Sequence, residues 1–278
     1  MRRALVTGAT GMLGSYIVRQ LVASGFAVRA LVRRPGDAGW LRELGAELVQ
    51  GELADVPSLR AAAAGCDAAF HAAAAIGPEP TWETFRIGNV EGTAHVVDAC
   101  AHAGARLVHV SSTAVYGDSR YQLAPVDEGI ALPALPEADA YGRSKQEAER
   151  VVLEAHASKR IWAAIVRPPI MYGERDRQFA PRIAVAFRRG IFPLCAGGET
   201  TLPMVHANAV AGAPFSCSDP RFFAQAGDAS STTLYEGRYD AQGKSVWTAL
   251  PNGTVTSASN NLYNALAFNP VDSFLYGT

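Results

Sequence analysis

Over roughly the first 211 residues, short apolar runs alternate with longer mixed stretches. ALVTG (4–8) reads as a strand and MLGSYIVRQLVASG (12–25) as a helix with a glycine stop. VRALV (28–32) is a second strand, WLRELG (40–45) a short helix, and AELVQG (46–51) a third strand. SLRAAAAG (58–65) precedes DAAFHAA (67–73), a fourth strand; NVEGTAHVVDACAHAG (89–104) predicts a long helix, and RLVHVSS (106–112) a fifth strand. YGRSKQEAERVVLEAHA (141–157) is a further helix, followed by WAAIVRP (162–168). Apolar strands separated by helices of about 12–16 residues imply parallel βαβ units covered on both faces.

The pattern changes after about residue 213. Long helical periods stop, Ser, Thr and Asn become dense, and ten of the 24 aromatic residues fall within 215–278. TTLYEGRY, SVWTAL, GTVTSAS and SFLYGT read as short strands, with Asn252-Gly253 and Asn269-Pro270 as turn signals. The expected architecture is therefore α/β over residues 1–213, with a β-rich segment, incomplete or foreign, over 214–278. The stretch MVHANAVAGAPFSCSDP (204–220) marks the seam. One account makes the following segment a different protein joined by fusion, frameshift or assembly error. The other makes it a divergent substrate lobe of one enzyme.

Composition narrows the classes. With 49% hydrophobic and 18% charged residues, the chain is that of an ordinary globular protein. A formal net charge of −1 gives no reason to expect a nucleic-acid partner. No apolar run reaches the roughly 18–20 residues of a membrane span, and the N-terminus enters a strand-like run without a leader. Cys66, Cys100, Cys195 and Cys217 are scattered with no metal spacing, so they fit free thiols in a reducing compartment. The expectation is a cytoplasmic protein with a small-molecule substrate, no metal, no membrane and no nucleic acid.

TGATGMLG (7–14) lies between the first strand and its helix. Gly8 permits a tight turn, Gly11 lets the backbone approach a pyrophosphate, and Gly14 allows helix and strand to pack closely, while the helix N-terminus attracts the anion. This is the pattern of a dinucleotide loop, with Thr7, Thr10, Met12 and Leu13 beside it. The end of the second strand carries Arg33-Arg34 where an Asp or Glu would select the NAD 2′-hydroxyl. A guanidinium suits a 2′-phosphate, so NADP is expected, with NAD possible; two solvated arginines are the alternative. Glu52 and Leu53 after the third strand are positioned to flank an adenine. His71-Ala72-Ala73 ends the fourth strand with small residues beside a cofactor, and His71 is either a base or a packed histidine.

The reaction centre is expected at VSSTAVYG (110–117) and YGRSK (141–145). Tyr141 and Lys145, four apart, share one helical face. A nearby ammonium lowers a tyrosine pKa toward the working range, and a serine at the preceding strand end hydrogen-bonds the substrate oxygen.

TGATGMLG, the FHAAA strand end, NVEGT, VSSTAVYG, YGRSK, RPPIMYG and MVHANAVA occur in the order of one family. Residues 1–211 resemble the extended short-chain dehydrogenase/reductase superfamily, which contains NAD(P)-dependent epimerases, dehydratases and reductases. The resemblance implies a Rossmann-like doubly wound parallel sheet. It implies Tyr141 as acid/base, Lys145 as the residue that tunes it and holds the nicotinamide ribose, and Ser112 as the catalytic hydroxyl, with Ser111 the nearby alternative. It brings Asn89 near the active site in a catalytic or structural role, and Pro168 and Tyr172 to the nicotinamide and substrate cleft. Glu52 replaces the usual Asp, and Gly88 stands where a larger residue is common. The implied activity is NADP-dependent oxidoreduction of a carbonyl or alcohol; nucleotide-sugar epimerisation or dehydration, or dinucleotide binding without turnover, are the other readings. Members often dimerise through two helices, one of them carrying the tyrosine and lysine. YNALAFNPVDSFLYGT (263–278) resembles one unit of propeller-type repeats in bacterial secreted proteins, which gain stability only by stacking.

Overall fold

A computed structural model describes residues 2–77, 81–117, 130–189 and 204–212. Beyond these it describes the backbone of five strands between residues 222 and 277. Of the proposed seam at 204–220, residues 213–220 lie outside the described residues, as do the thiols Cys195 and Cys217. In chain order the elements begin with β1 (Arg3–Thr7), α1 (Met12–Ala23) and β2 (Ala27–Val32), then α2 (Gly39–Glu43) and β3 (Glu47–Gln50). Next come α3 (Val56–Ala63), β4 (Ala68–His71), α4 (Trp82–Phe85), a π-helical stretch (Arg86–Glu91), α5 (Gly92–Ala103) and β5 (Arg106–Val110). They continue with α6 (Ala140–Ala157), β6 (Ala163–Val166), β7 (Ile170–Tyr172), α7 (Phe179–Arg188), β8 (Met204–His206) and α8 (Ala207–Ala211).

Six parallel strands form one sheet in the order β3-β2-β1-β4-β5-β6. Apart from the partly exposed edge strand β3, its strands are largely buried on both faces. Ala4 and Val6 pack into one core with Leu13, Ile17 and Val18 of α1. Leu5, between them, points into the other core with Leu59, Val96, Val97, Leu107 and Val152. That is why the runs read as continuously apolar rather than alternating. Connections from β1 and β4 leave in opposite directions along the sheet, and the crevice between them is where such folds take a nucleotide.

Local chemistry sets the boundaries. Helix α1 ends before Gly25 and α5 before Gly104, both left-handed at φ +80° and +68°. Asp139 caps α6 by accepting the Gly142 N–H at 2.8 Å, which fixes Tyr141 in the first turn. The helix expected from Asn89 starts earlier, at Trp82 under a Thr81 cap (Thr84 N to Thr81 Oγ1, 3.3 Å), and runs through the π stretch into α5. Two glycines, 88 and 92, mask that continuity in the sequence. Gly88 is required by a close approach, since a Cβ there would lie 2.9 Å from the Ala75 Cβ.

MVHANAVA belongs to the first unit: Val205, Ala207, Val210 and Ala211 are buried in the α1 core, and Gln20 donates to Asn208 at 2.9 Å. Farther on, β9 (Phe222–Asp228), β10 (Ser231–Tyr239) and β11 (Ser245–Thr256) form an antiparallel sheet, and β12 (Leu266–Asn269) pairs with β13 (Phe274–Gly277). The expected turn at Asn252-Gly253 is not one. SVWTAL and GTVT are a single strand, and the register with β10 shifts between Thr233 and Tyr235, so that Asn-Gly sits in an irregularity of β11. Among the described residues no helix is long and apolar enough to cross a membrane.

Candidate functional site

The glycine loop has the geometry its spacing predicts. Gly8 adopts φ +71° and lies so close to the β4 strand end that a Cβ would meet the Ala73 nitrogen at 2.5 Å. Gly14, one turn into α1, would place its Cβ 2.1 Å from the Gly8 carbonyl oxygen. Gly11 donates its N–H to that same oxygen at 2.9 Å and caps α1 without a side chain, and no acidic residue occupies the first turn. A cradle of backbone with an uncapped helix N-terminus is what a pyrophosphate requires, so these residues fit a dinucleotide. Thr10 and Gly11 are exposed at the loop tip, Met12 is half-buried, and Leu13 packs into the core.

Thr7 and His71 do not face the crevice. Both are fully buried: Thr7 Oγ1 meets His71 Nδ1 at 2.7 Å, and His71 Nε2 meets Thr93 Oγ1 at 3.1 Å. They join the ends of β1 and β4 to each other and to Thr93 of α5. Burial, then the charge of Lys145, holds the His71 pKa down at about 3, so its imidazole is neutral and packed. Ala72 and Ala73 remain half-buried, facing Gly8.

At the far end of the crevice Arg33, Gln50, Gly51, Glu52 and Asp55 line an open cleft of about 480 Å³. The arginine pair divides here. Arg34 Nε bonds Asp37 at 3.2 Å on the surface, whereas Arg33 has no ion-pair partner among the described residues and faces the cleft. Glu52 is exposed to the same cleft, while Leu53 packs against Gly92 and gives its carbonyl to His95 Nδ1 at 2.7 Å.

Ser112 and Tyr141 meet at the other end. Ser112 Oγ accepts the Ala114 N–H at 3.1 Å and lies near enough to the Tyr141 phenol to pull its pKa downward. Ser111 is 3% exposed and its Oγ has no hydrogen-bond partner among the described residues, whereas Ser112 acts on the tyrosine. Phe85 packs on the Tyr141 ring with centroids 5.6 Å apart. Lys145 Nζ donates to the Val110 carbonyl at 3.1 Å and lies 6.0 Å from the Tyr141 ring centroid. The expected lowering of the tyrosine pKa is absent. Burial pushes Tyr141 above its ordinary value, against a downward pull from Ser112 and with a further upward push from Asp139, while the ammonium is engaged by Val110. Lys145 itself is pushed down to about 8 by burial, with the Glu149 carboxylate pulling the other way.

Asn89 is a tie rod. Its Oδ1 accepts the Ala75 N–H at 2.7 Å, and its Nδ2 donates to the Ala75 carbonyl at 3.2 Å and to Ser144 Oγ at 2.9 Å. Ser144 Oγ in turn donates to the Tyr141 carbonyl at 2.8 Å. The side chain is 1% exposed and links the β4 loop to α6. Pro168 is buried, its carbonyl accepting the Thr113 N–H at 3.1 Å next to Ser112. Tyr172 is 40% exposed and packs edge-on against His206, 5.2 Å between centroids.

Sequence reasoning missed three residues beneath this centre. Arg167 clasps Glu149 through two bonds, Nε to Oε1 at 2.8 Å and Nη2 to Oε2 at 2.7 Å, and its Nη1 donates to the Tyr116 hydroxyl at 2.8 Å. Glu149 was within reach, four residues after Lys145 on one helix; Arg167 needed the fold. His109, fully buried beside His71 (ring centroids 5.3 Å apart), was also overlooked, and neither of its ring nitrogens has a hydrogen-bond partner among the described residues.

Comparison with known proteins agrees with this geometry. The profile of the NAD dependent epimerase/dehydratase family matches residues 4–214, and residues 222–278 match a repeat of unknown function, DUF6923. The 4-hydroxy-2-methyl-3-oxo-4-farnesyl-3,4-dihydroquinoline-1-oxide ketoreductase of Stigmatella aurantiaca is 39% identical over 205 residues, 73% of this chain and 60% of the relative. A 2-alkyl-3-oxoalkanoate reductase of Stenotrophomonas maltophilia is 33% identical over 218 residues, 77% of this chain and 64% of the relative. This chain thus spans less than two thirds of the length of these two relatives. Among solved structures, MoeE5 in complex with UDP-glucuronic acid and NAD superposes with a TM-score of 0.64 at 29% identity, covering 76% of this chain and 70% of that one.

Proposed function

The chain belongs to the NAD dependent epimerase/dehydratase family, and from that premise we propose that it is an NADP-dependent ketoreductase acting on a ketone with an apolar chain. The observation that carries the reading is the convergence of Ser112, at the start of the Thr113–Tyr116 turn and acting on the Tyr141 phenol, with Tyr141 and with Lys145 one turn along the same helix. When bound, the cofactor supplies a hydride to the carbonyl carbon. The chain's own groups do the rest. Ser112 Oγ orients the carbonyl oxygen, and the Tyr141 phenol, neutral through burial, gives that oxygen its proton. Lys145, charged below about pH 8, stabilises the phenolate left behind.

The preference for NADP over NAD is supported by Arg33, which lines the cleft and has no ion-pair partner among the described residues, although Glu52 and Asp55 line it too. The apolar substrate draws on Ile76 and Ile87, 56% and 46% exposed, which flank the Ala75–Asn89 tie near Tyr141. It draws also on the two relatives, both named for the reduction of oxo compounds.

Purified full-length chain mixed with NADPH and a 2-alkyl-3-oxoalkanoate tests the reading. Oxidation of one NADPH per hydroxy product supports it. An altered product with no net NADPH consumption is the outcome of an epimerase or dehydratase. A second reading, dinucleotide binding without turnover, rests on residues 222–278 matching a repeat family instead of the epimerase/dehydratase profile.

A further inference from the structure

The groups beneath the reaction centre have a part that the proposed chemistry leaves unassigned. Tyr116 closes the short 3-10 turn (Thr113–Tyr116) that Ser112 opens. Glu149 lies on α6 one turn past Lys145, and Arg167 follows β6 directly. Three segments distant in sequence thus meet at one guanidinium. Arg167 spends three N–H groups there, two on Glu149 and one on Tyr116, and its charge also lies over the Tyr116 ring at 5.1 Å. The site is dry: Glu149 has 1% of its side chain exposed and Arg167 10%.

We propose that Glu149, Arg167 and Tyr116 act as a positioning clamp, holding the Ser112 turn in register with the helix of Tyr141 and Lys145 and keeping a fixed buried carboxylate beneath Lys145. The clamp rests on the Ser112–Tyr141–Lys145 assignment above. Besides the clamp, the same turn is tied to that helix by Gln146, whose Nε2 donates to the Val115 carbonyl at 2.8 Å. A bidentate Arg–carboxylate pair fixes direction as well as distance, which one-point contacts do not. Burying such a pair contributes little net stability when measured against apolar replacements. Alignment of reacting groups, by contrast, is worth orders of magnitude in rate.

The carboxylate has an electrostatic consequence as well. Lys145 is buried among groups that oppose its charge or leave it unaided. His71 of β4 and His109 of β5 are neutral and interact with it, Val110 of β5 offers one carbonyl, and Tyr141 of α6 is neutral. Glu149 is the group acting on Lys145 in the opposite sense to burial. Because Arg167 holds it in place, Glu149 cannot swing toward Lys145 to form a direct pair that would tie up the ammonium.

The test uses the full chain and needs no turnover at its first step. The sequence contains three lysines, Lys145, Lys159 and Lys244, so a carbon-13-labelled lysine NMR titration resolves each one. The wild type is expected to show Lys145 titrating near 8, and Glu149→Gln is expected to move it lower while the other two stay put. If Glu149→Gln does not fold, the double variant Glu149→Gln/Arg167→Met removes both charges and should give a smaller displacement in the same downward direction. Tyr116→Phe deletes one hydrogen bond of the clamp. It should leave the Lys145 titration unchanged and lower kcat about tenfold at constant KM and constant NADPH affinity. An unmoved Lys145 titration in both carboxylate variants overturns the electrostatic part, and full kcat in Tyr116→Phe overturns the alignment part. A wild type inactive on every ketone, with the lysine titrations as expected, would count against the reductase reading and leave the carboxylate's effect on Lys145 standing.

Discussion

Lys145 Nζ donates to the backbone carbonyl of Val110 at 3.1 Å, so the ammonium is held against the end of β5 instead of against the Tyr141 hydroxyl. Burial lowers its pKa to about 8 from an ordinary 10.5. Turnover at saturating NADPH should therefore decline as pH rises through about 8, because the charge that stabilises the phenolate is lost there. A pH profile of kcat from neutral to alkaline checks this, and a flat profile across that range speaks against a role for the Lys145 charge.

Arg33 and Arg34, adjacent in sequence, should differ in effect. Arg33 faces the open cleft, and Arg34 is paired with Asp37. Arg33→Ala is expected to weaken NADPH binding by about 10–100-fold, the worth of one charge-assisted hydrogen bond, and to leave NADH nearly unchanged. Arg34→Ala should stay within about twofold for both. Fluorescence titration of the two nucleotides against the three proteins decides it.

Gly14→Ala should damage the loop and the fold together. The new Cβ would lie 2.1 Å from the Gly8 oxygen and 2.9 Å from the Ala9 Cα, both backbone, so neither can give way cheaply. A loss of about 1–3 kcal/mol and of dinucleotide binding is expected. Gly39→Ala, where a Cβ meets nothing within 4 Å, is the control that should hold its Tm.

Acid should destabilise the folded chain through its two buried imidazoles. Unfolded, a histidine takes up its proton near 6.5; folded, His71 does so only near 3, and His109 is also held well below its ordinary value, chiefly by burial. Between those limits the unfolded chain binds more protons, so stability is intact above about 6.5 and is lost as pH falls toward 3. Urea midpoints across that window should fall less steeply for His109→Phe than for the wild type.

Much of this was legible in the sequence because it is local. The apolar runs gave five of the six strands, with the sixth inside WAAIVRP, the glycine spacing gave the loop, and Tyr141 with Lys145 stood out as a four-residue interval opening the helix after the fifth strand and its Ser-Ser. What was not legible depends on distant segments. Thr7 and His71 stand at neighbouring strand ends, and only the fold shows that they bond each other and that His71 reaches on to Thr93 of α5. Arg167 reads as an ordinary residue before two prolines, and only the pairing of β5 with β6 brings it to Tyr116 and Glu149. The tyrosine pKa went against the sequence expectation for the same reason. Spacing sets which face a lysine shares, and the Val110 carbonyl sets where its ammonium ends.

Tyr141→Phe tests the central claim most directly, because it deletes the proton donor and leaves the ring packed on Phe85. NADPH binding and NADPH oxidation with a 2-alkyl-3-oxoalkanoate are measured side by side on the full chain. The account predicts unchanged binding and a fall in kcat of about 10²–10⁴-fold. A variant that oxidises NADPH at the wild-type rate would contradict it.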